Sequence, residues 1–481
     1  MNWRGVIRLI GLLLTLYSLS FILPWLLALV YQDGEAQHFL SAWLISTAIG
    51  LAIWWPVRAE RRALRVRDGF LVVALFWAVL GVVGAIPFIV GLHLSVTDAI
   101  FESVSGFTTT GATVIVGIDE LPPSILYHRQ QIQWLGGMGV VVLAVAILPL
   151  LGVGGMQLYR AEASGIAKDE KLTPRITKTA QALWSIYFAL TLACTLAYLA
   201  AGMSLFDAVG HAFTTVATAG FSTHDASIGH FDSLAIELIC IVFMTLGGIN
   251  FAIHFVVWRQ RNPLLYLRDP EARTYLAILL GASLFIALSL VWAGAYAGFG
   301  EALRYGLFEV VSVMTTTGFG TADFSAWPRH IPLVLAMLAF VGGCAGSTAG
   351  GLKVVRVMLL AKMGVRQMLV LSHPRATALL KLGRRAVPDD VAYSVWGYYV
   401  LYLSTALVLT VAMMAAGLDL ESAFGAVTAT LNLLGPGLGE VAITFADVGP
   451  AVKWLAIFGM LVGRLEVFTL LILFTFAFWR P

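Results

Sequence analysis

Charge is what this chain has least of. Only 12% of its 481 residues are Asp, Glu, Lys or Arg, against 59% apolar, and the formal net charge is +3. Soluble globular domains average roughly 25% charged residues, so a water-soluble globule is excluded and a bilayer becomes the expected solvent. A balance this close to neutral offers no nucleic-acid surface. Cysteine is nearly absent: Cys194, Cys240 and Cys344 all fall in apolar stretches at no metal-ligand spacing. Neither a disulfide framework nor a zinc site is expected. The sequence also shows no nucleophile–base pair, no metal cluster and no nucleotide fold, which argues against an enzyme. The stretch GGCAGSTAGGLK looks superficially like a phosphate loop, but it lacks Gly-Lys-Ser/Thr, because Lys353 follows Leu352.

What the chain has in abundance is long apolar runs. A bilayer core about 30 Å thick needs roughly 20 residues of helix. Ten runs qualify: residues 6–30, 39–57, 70–92, 132–151, 182–201, 234–258, 275–297, 331–361, 392–416 and 452–479. Arg4 and Arg8 precede the first in the manner of a signal peptide. That run exceeds a signal peptide's apolar core and has no small-x-small cleavage site, so an uncleaved helix is expected. Run 331–361 is too long for one helix and carries five glycines in its middle, so it is expected to be broken.

Segments 58–68, 152–180, 259–273 and 353–385 hold 22 of the 30 Lys and Arg residues, whereas the loops between them hold only Arg129, Arg304, Arg329 and Lys453. The positive-inside rule puts the basic segments and both termini in the cytoplasm. Acidic residues from Asp33 to Asp447 crowd the other side, where they would draw cations to its mouth.

Four turns recur about every hundred residues: TTTGAT at 108–113, ATAGFS at 217–222, TTTGFG at 315–320 and NLLGPG at 432–437. About ten amphipathic residues precede each, too few to cross a bilayer, so each must dip in and return. Asp98, Asp207 and Asp419 start these stretches and read as N-caps. A second glycine signature follows each turn: LGGMG, LGGIN, VGGCAGSTAGG and VGRLE. The expected architecture is an all-α integral membrane protein with four pseudo-symmetric helix–re-entrant loop–helix units around a central pore. Two N-terminal helices (residues 1–67) precede units at 68–179, 180–273, 274–390 and 391–481.

A dehydrated cation needs oxygens that replace its water shell, and four converging strands of backbone carbonyl supply them. Aiming successive carbonyls at one axis demands positive φ at some residues, which glycine accepts at little cost. Half-helices ending at the turns would add their partially negative C-termini. The candidate ion-binding residues are therefore Thr110, Gly111, Ala219, Gly220, Thr317, Gly318, Leu434 and Gly435.

The glycines Gly343, Gly346, Gly350 and Gly351 read either as close helix packing through small residues or, as preferred here, as a flexible loop beneath the turns. Arg464 lies deep in the last run, where a charge usually faces a cavity or a partner. A pair with Glu466 is one reading. The preferred one sets Arg464 in the cavity under the turns, where its three counterparts are glycine and it would repel cations. Glu237 reads as a solvated residue near a helix end, and His211 and His254 as structural.

These motifs reach a family. QWLGGMGVVVLAVAILP at 133–149, GGCAGSTAGGLKVVR at 342–356, LNLLGPGLGEV at 431–441 and GRLEVFTLL at 463–471 resemble the Trk/Ktr/HKT superfamily of potassium transporters, and the two extra N-terminal helices point to its TrkH branch. The resemblance implies a distant relation to potassium channels, a filter at the four glycines and an intramembrane loop that obstructs the closed pore. It also implies a homodimer in the bacterial inner membrane, docked on a cytoplasmic ring of nucleotide-binding TrkA-type subunits. The basic segments 366–385 and 160–178 would meet that ring, or anionic lipid. Some plant relatives that favour sodium carry serine at the first filter glycine; this chain keeps Gly111, so potassium is the expected ion. The fourth turn, with Asn432 and Leu434 in place of threonines, predicts looser selectivity. The alternative is a secondary transporter coupling potassium to protons or sodium. Against it stand repeats in parallel topology and the lack of a filter carboxylate.

Overall fold

The structure is a computed structural model and describes residues 1–60, 65–142, 172–375, 378–383 and 385–480. The end of the 132–151 run and most of segment 160–178 lie outside the described residues. Apart from a two-stranded ladder pairing Lys381–Leu382 with Arg385–Ala386, the regular structure is helical.

Among the described residues six helices are long and apolar enough to cross a membrane: Trp3–Tyr31, Ala36–Val57, Arg67–Val90, Ala180–Ala200, Pro270–Trp292 and Asp389–Ala415. Their outward faces suit lipid. Trp184, Phe188, Leu192 and Leu196, spaced one helical turn apart, are all about half exposed, an apolar stripe that a water-soluble protein would bury.

Each unit carries a half-helix: Val96–Phe107, Leu205–Val216, Phe299–Met314 and Leu420–Leu431. The third, at 16 residues, is longer than the expected ten, yet at 1.5 Å per residue it reaches only about 24 Å. Capping differs from expectation. Ser95 and Ser204 are the N-caps, accepting from the backbone N–H groups of Asp98 and Asp207, and each serine hydroxyl donates back to that aspartate's carboxylate. Only Asp419 caps directly, accepting from Ser422 N–H at 2.9 Å.

Every half-helix packs between the two spans of its own unit and also against the second span of the unit before it, with the first unit's half-helix resting on Pro450–Arg464 of the fourth. That pattern closes four units into a ring in chain order. Two cores fill it. One joins the N-terminal helices, the first unit and the fourth; the other joins the second and third.

The break expected in run 331–361 is present: helix His330–Val341 ends at Gly342, and the next helix, Val354–Ser372, starts after Lys353. Two further runs, expected to be single spans, are broken as well. Leu234–Gly247 and Phe251–Gln260 meet at 101°, and Pro450–Arg464 and Val467–Phe474 at 113°. The causes are local. Asn250 caps a new helix by accepting from Ala252 N–H, and Glu466 takes a φ of 55° that no helix can hold.

Candidate ion-conducting site

The four turns share one backbone pattern. φ is positive at Thr109, Thr218, Thr316 and Leu433, and again two residues later at Gly111, Gly220, Gly318 and Gly435. Left-handed residues at alternate positions turn successive carbonyls to the same side. The glycines are required by their neighbours as well as by φ. A Cβ on Gly111 would lie 2.2 Å from the Ala219 oxygen, on Gly220 2.0 Å from Thr317 O, on Gly318 2.0 Å from Leu434 O, and on Gly435 2.8 Å from Thr110 O. Each glycine thus abuts the carbonyl just before the next unit's glycine, and the fourth returns to the first. All eight candidate ion-binding residues converge on this ring.

Sequence reasoning gave the positive φ values to glycine and missed the three threonines that share them. A β-branched residue at positive φ is a genuine outlier, and side-chain hydrogen bonds hold two of the three there. Thr218 Oγ1 donates to Thr348 Oγ1 at 3.0 Å, and Thr316 Oγ1 accepts from Gly350 N–H at 2.6 Å. The turns are also of two kinds. In units one and three, hydroxyl pairs Thr108–Thr110 and Thr315–Thr317 bond at 2.7 Å. Units two and four have no such pair, and Asn432 instead accepts from the buried Tyr402 hydroxyl.

Behind the ring, one position of each of the first three half-helices braces the chain leaving its turn. Glu102 accepts from Thr113 Oγ1 and Val114 N–H, and its carboxylate pairs with the buried Arg129 at 2.8 Å. Glu309 accepts from Thr321 and Ala322 N–H. His211 does the same work through Ser222 Oγ at 2.9 Å, which bears out its structural reading. His254 is bonded to Tyr266 and Leu246 O. Beyond the ring opens a cavity of about 470 Å³, lined by Gly111, Gly220, Gly318 and Pro436 and walled by His224 and Asp323.

On the other side, where the half-helices end, lies the loop 342–353. Thr348 Oγ1 reaches Val216 O and Gly247 O at 3.2 and 3.1 Å, and Cys344 N–H donates to Gly248 O. A Cβ on Gly350 would sit 2.0 Å from Asn432 O, on Gly343 3.0 Å from Gly248 O, and on Gly351 2.7 Å from Ala339 O; the Gly346 carbonyl oxygen accepts from Phe251 N–H at 3.1 Å. The loop therefore touches the turns of units two, three and four from below. Buried Glu271, which sequence reasoning passed over, ties down both of its ends by accepting from Ala345 and Val355 N–H.

Arg464 meets this loop. Its Nη1 donates to Thr348 O at 3.1 Å, while Nε and Nη2 are buried with no hydrogen-bond partner among the described residues. Glu466 is committed elsewhere, to Arg356 at 2.6 Å. Glu237 is a plain correction: instead of being solvated it is buried and paired with Arg304 of the third half-helix at 2.6 Å. No local signal could have joined residues so far apart in the chain.

A family model, TrkH (cation transport protein), matches residues 35–479. The chain is 52% identical to the Trk system potassium uptake protein TrkH of Halomonas elongata and 50% identical to that of Escherichia coli K12, each over the whole of both chains. Its fold superposes on the crystal structure of the potassium transporter TrkH from Vibrio parahaemolyticus with a TM-score of 0.93, at 48% identity and full coverage of both. Four units closed into a ring, a re-entrant half-helix in each and full-length likeness at half identity lead to one assignment: the chain belongs to the TrkH family of cation transport proteins and is a transporter, not an enzyme.

Proposed function

We propose that this protein takes up potassium across the bacterial inner membrane through a selectivity filter at the ring of Gly111, Gly220, Gly318 and Gly435. The observation that carries the reading is the ring itself, in which each glycine abuts the carbonyl preceding the next. Carbonyls of Thr110, Ala219, Thr317 and Leu434, with those of the glycines, would replace the water shell of a potassium ion. Four half-helix C-termini at the turns add negative potential. Potassium is the substrate named for the full-length relatives.

The loop through Gly343, Gly346, Gly350 and Gly351, together with Arg464, is the gate. A guanidinium with two unpartnered nitrogens just under the ring sets a positive charge in the cation's way. Opening would move the loop, and the basic segment that follows it connects the loop to the cytoplasm. There a TrkA-type nucleotide-binding ring would act on a homodimer of this chain. Both termini face the cytoplasm in this reading, from the Lys and Arg bias of the loops.

Rubidium flux into liposomes at clamped pH tests it. Flux should follow the potassium gradient alone. Dependence on an imposed proton or sodium gradient would favour coupled secondary transport instead.

A further inference from the structure

At the rim of the cavity, side chains from two units gather outside the filter. His224 and His230 follow the second glycine turn and stack face to face, with ring centroids 3.5 Å apart and planes within 2°. Asp119 comes from the corresponding loop of the first unit, its Oδ1 2.6 Å from His224 Nδ1. One ring nitrogen from each histidine and one carboxylate oxygen all lie within 4.8 Å of one another. The frame around them is fixed by reciprocal bonds: Asp119 N–H donates to Asp225 Oδ2 at 3.3 Å, and Asp225 N–H donates to Asp119 Oδ2 at 3.2 Å. Among the described residues His224 Nε2 is buried without a hydrogen-bond partner, with Asp207 Oδ1 3.5 Å away.

The donor set selects the guest. Potassium, magnesium and calcium take oxygen ligands, whereas two imidazoles and a carboxylate suit zinc and its neighbours. Three protein ligands leave the fourth tetrahedral corner to water. Separations up to 4.8 Å exceed those around a bound zinc, and an ion must lie in the plane of each imidazole that holds it, so binding would draw the three groups together and turn one of the two stacked rings out of parallel. Sequence reasoning found no metal cluster because the ligands lie on different units.

We propose that Asp119, His224 and His230 bind a divalent transition cation of the zinc class, and that this ion restrains cation entry. A held dication would tie the post-turn loops of the first two units together and set positive charge beside a cavity that His224 lines. The binding stands on its own geometry; the effect on entry rests on the pore reading above.

The test has two arms. In detergent, the purified full-length protein is titrated with Zn²⁺ by calorimetry and with Co²⁺ by visible absorption. One site per chain is expected, weakened by about 10- to 100-fold in His230→Ala and in Asp119→Asn, at least the loss seen when a supporting group around a metal is removed. No saturable binding, or affinity in both variants equal to that of the unsubstituted protein, overturns the site. In liposomes, Zn²⁺ on both sides should lower rubidium flux at least tenfold in the unsubstituted protein, and a chelator should restore it. His230→Ala, normalised to its own metal-free flux, should resist. Saturable binding with unchanged flux overturns the restraint on entry. Loss of metal-free flux in the unsubstituted protein counts against the pore reading alone, and the titration then decides the site.

Discussion

A Cβ placed on Gly318 would lie 2.0 Å from the carbonyl oxygen of Leu434, while one placed on Gly435 would lie 2.8 Å from the oxygen of Thr110, a smaller overlap. The ring is therefore tight at three of its joints and looser at the fourth, which sits between the last unit and the first. The looser joint adjoins the turn whose sequence departs most from the others.

Substitutions at the four glycines should rank by that geometry. All four hold positive φ, so each alanine is strained by about 1–3 kcal/mol. At all four the methyl must also push backbone aside, by most at Gly111, Gly220 and Gly318, where it would lie 2.0–2.2 Å from a carbonyl oxygen; there rubidium flux should fall by roughly 10- to 100-fold, with potassium-over-sodium discrimination lost. Gly435→Ala should be the mildest. Paired rubidium and sodium flux assays check the order; preserved discrimination in Gly318→Ala or Gly318→Ser would sink the filter assignment.

Among the described residues Arg464 makes one hydrogen bond, to Thr348 O, so its removal costs little structure and relieves a buried charge. A unit charge about 8 Å from a permeating cation, at an effective dielectric of about 20, opposes it by roughly 2 kcal/mol. Arg464→Ala should raise basal flux by up to about 30-fold with little change in melting temperature. Arg464→Lys should stay close to the original. Unchanged flux in the alanine variant would remove Arg464 from the gate.

How much of this was legible beforehand depended on how local the signal was. The turns could be read because their glycines repeat with a half-helix before them and a glycine signature after. The third unit's break was legible because Gly342 to Gly351 interrupts a run too long for one helix. The breaks in units two and four were not, because LGGIN and VGRLE sit inside runs whose average hydropathy suits a single span. Positive φ at Thr109, Thr218 and Thr316 was hidden by chemistry, since a threonine there runs against its own preference, and at Thr218 and Thr316 tertiary hydrogen bonds hold it. Pairs such as Glu237 with Arg304 join different units, and no window along the chain contains both. The same holds for Asp119 with His224.

Two glutamates at one repeat position should respond differently to the same change. Glu102 is paired with buried Arg129, whereas the bonds of Glu309 go to the hydroxyl and N–H groups of Thr321 and the N–H of Ala322. Glu102→Gln leaves a buried cation without its counter-charge, a loss of about 3–5 kcal/mol. Glu309→Gln keeps a carbonyl oxygen for its donors and should cost about 0.5–1.5 kcal/mol. Thermal unfolding in detergent measures both, and equal costs would refute the buried ion pair as the brace of the first unit.

Acid should loosen the rim where the first two units meet. The Asp119 carboxyl is held below its ordinary value, chiefly by the His224 hydrogen bond. A group depressed in the folded state stabilises above its unfolded pKa, about 3.9 for Asp, and that contribution is lost as pH falls through the folded value. The side chain is largely exposed, so solvent screening limits the effect to about 1 kcal/mol or less. Melting curves of the unsubstituted protein and Asp119→Asn should therefore differ slightly at pH 7 and begin to converge only as pH falls below about 4. A gap that widens on acidification would mean that the carboxylate is not what the rim depends on.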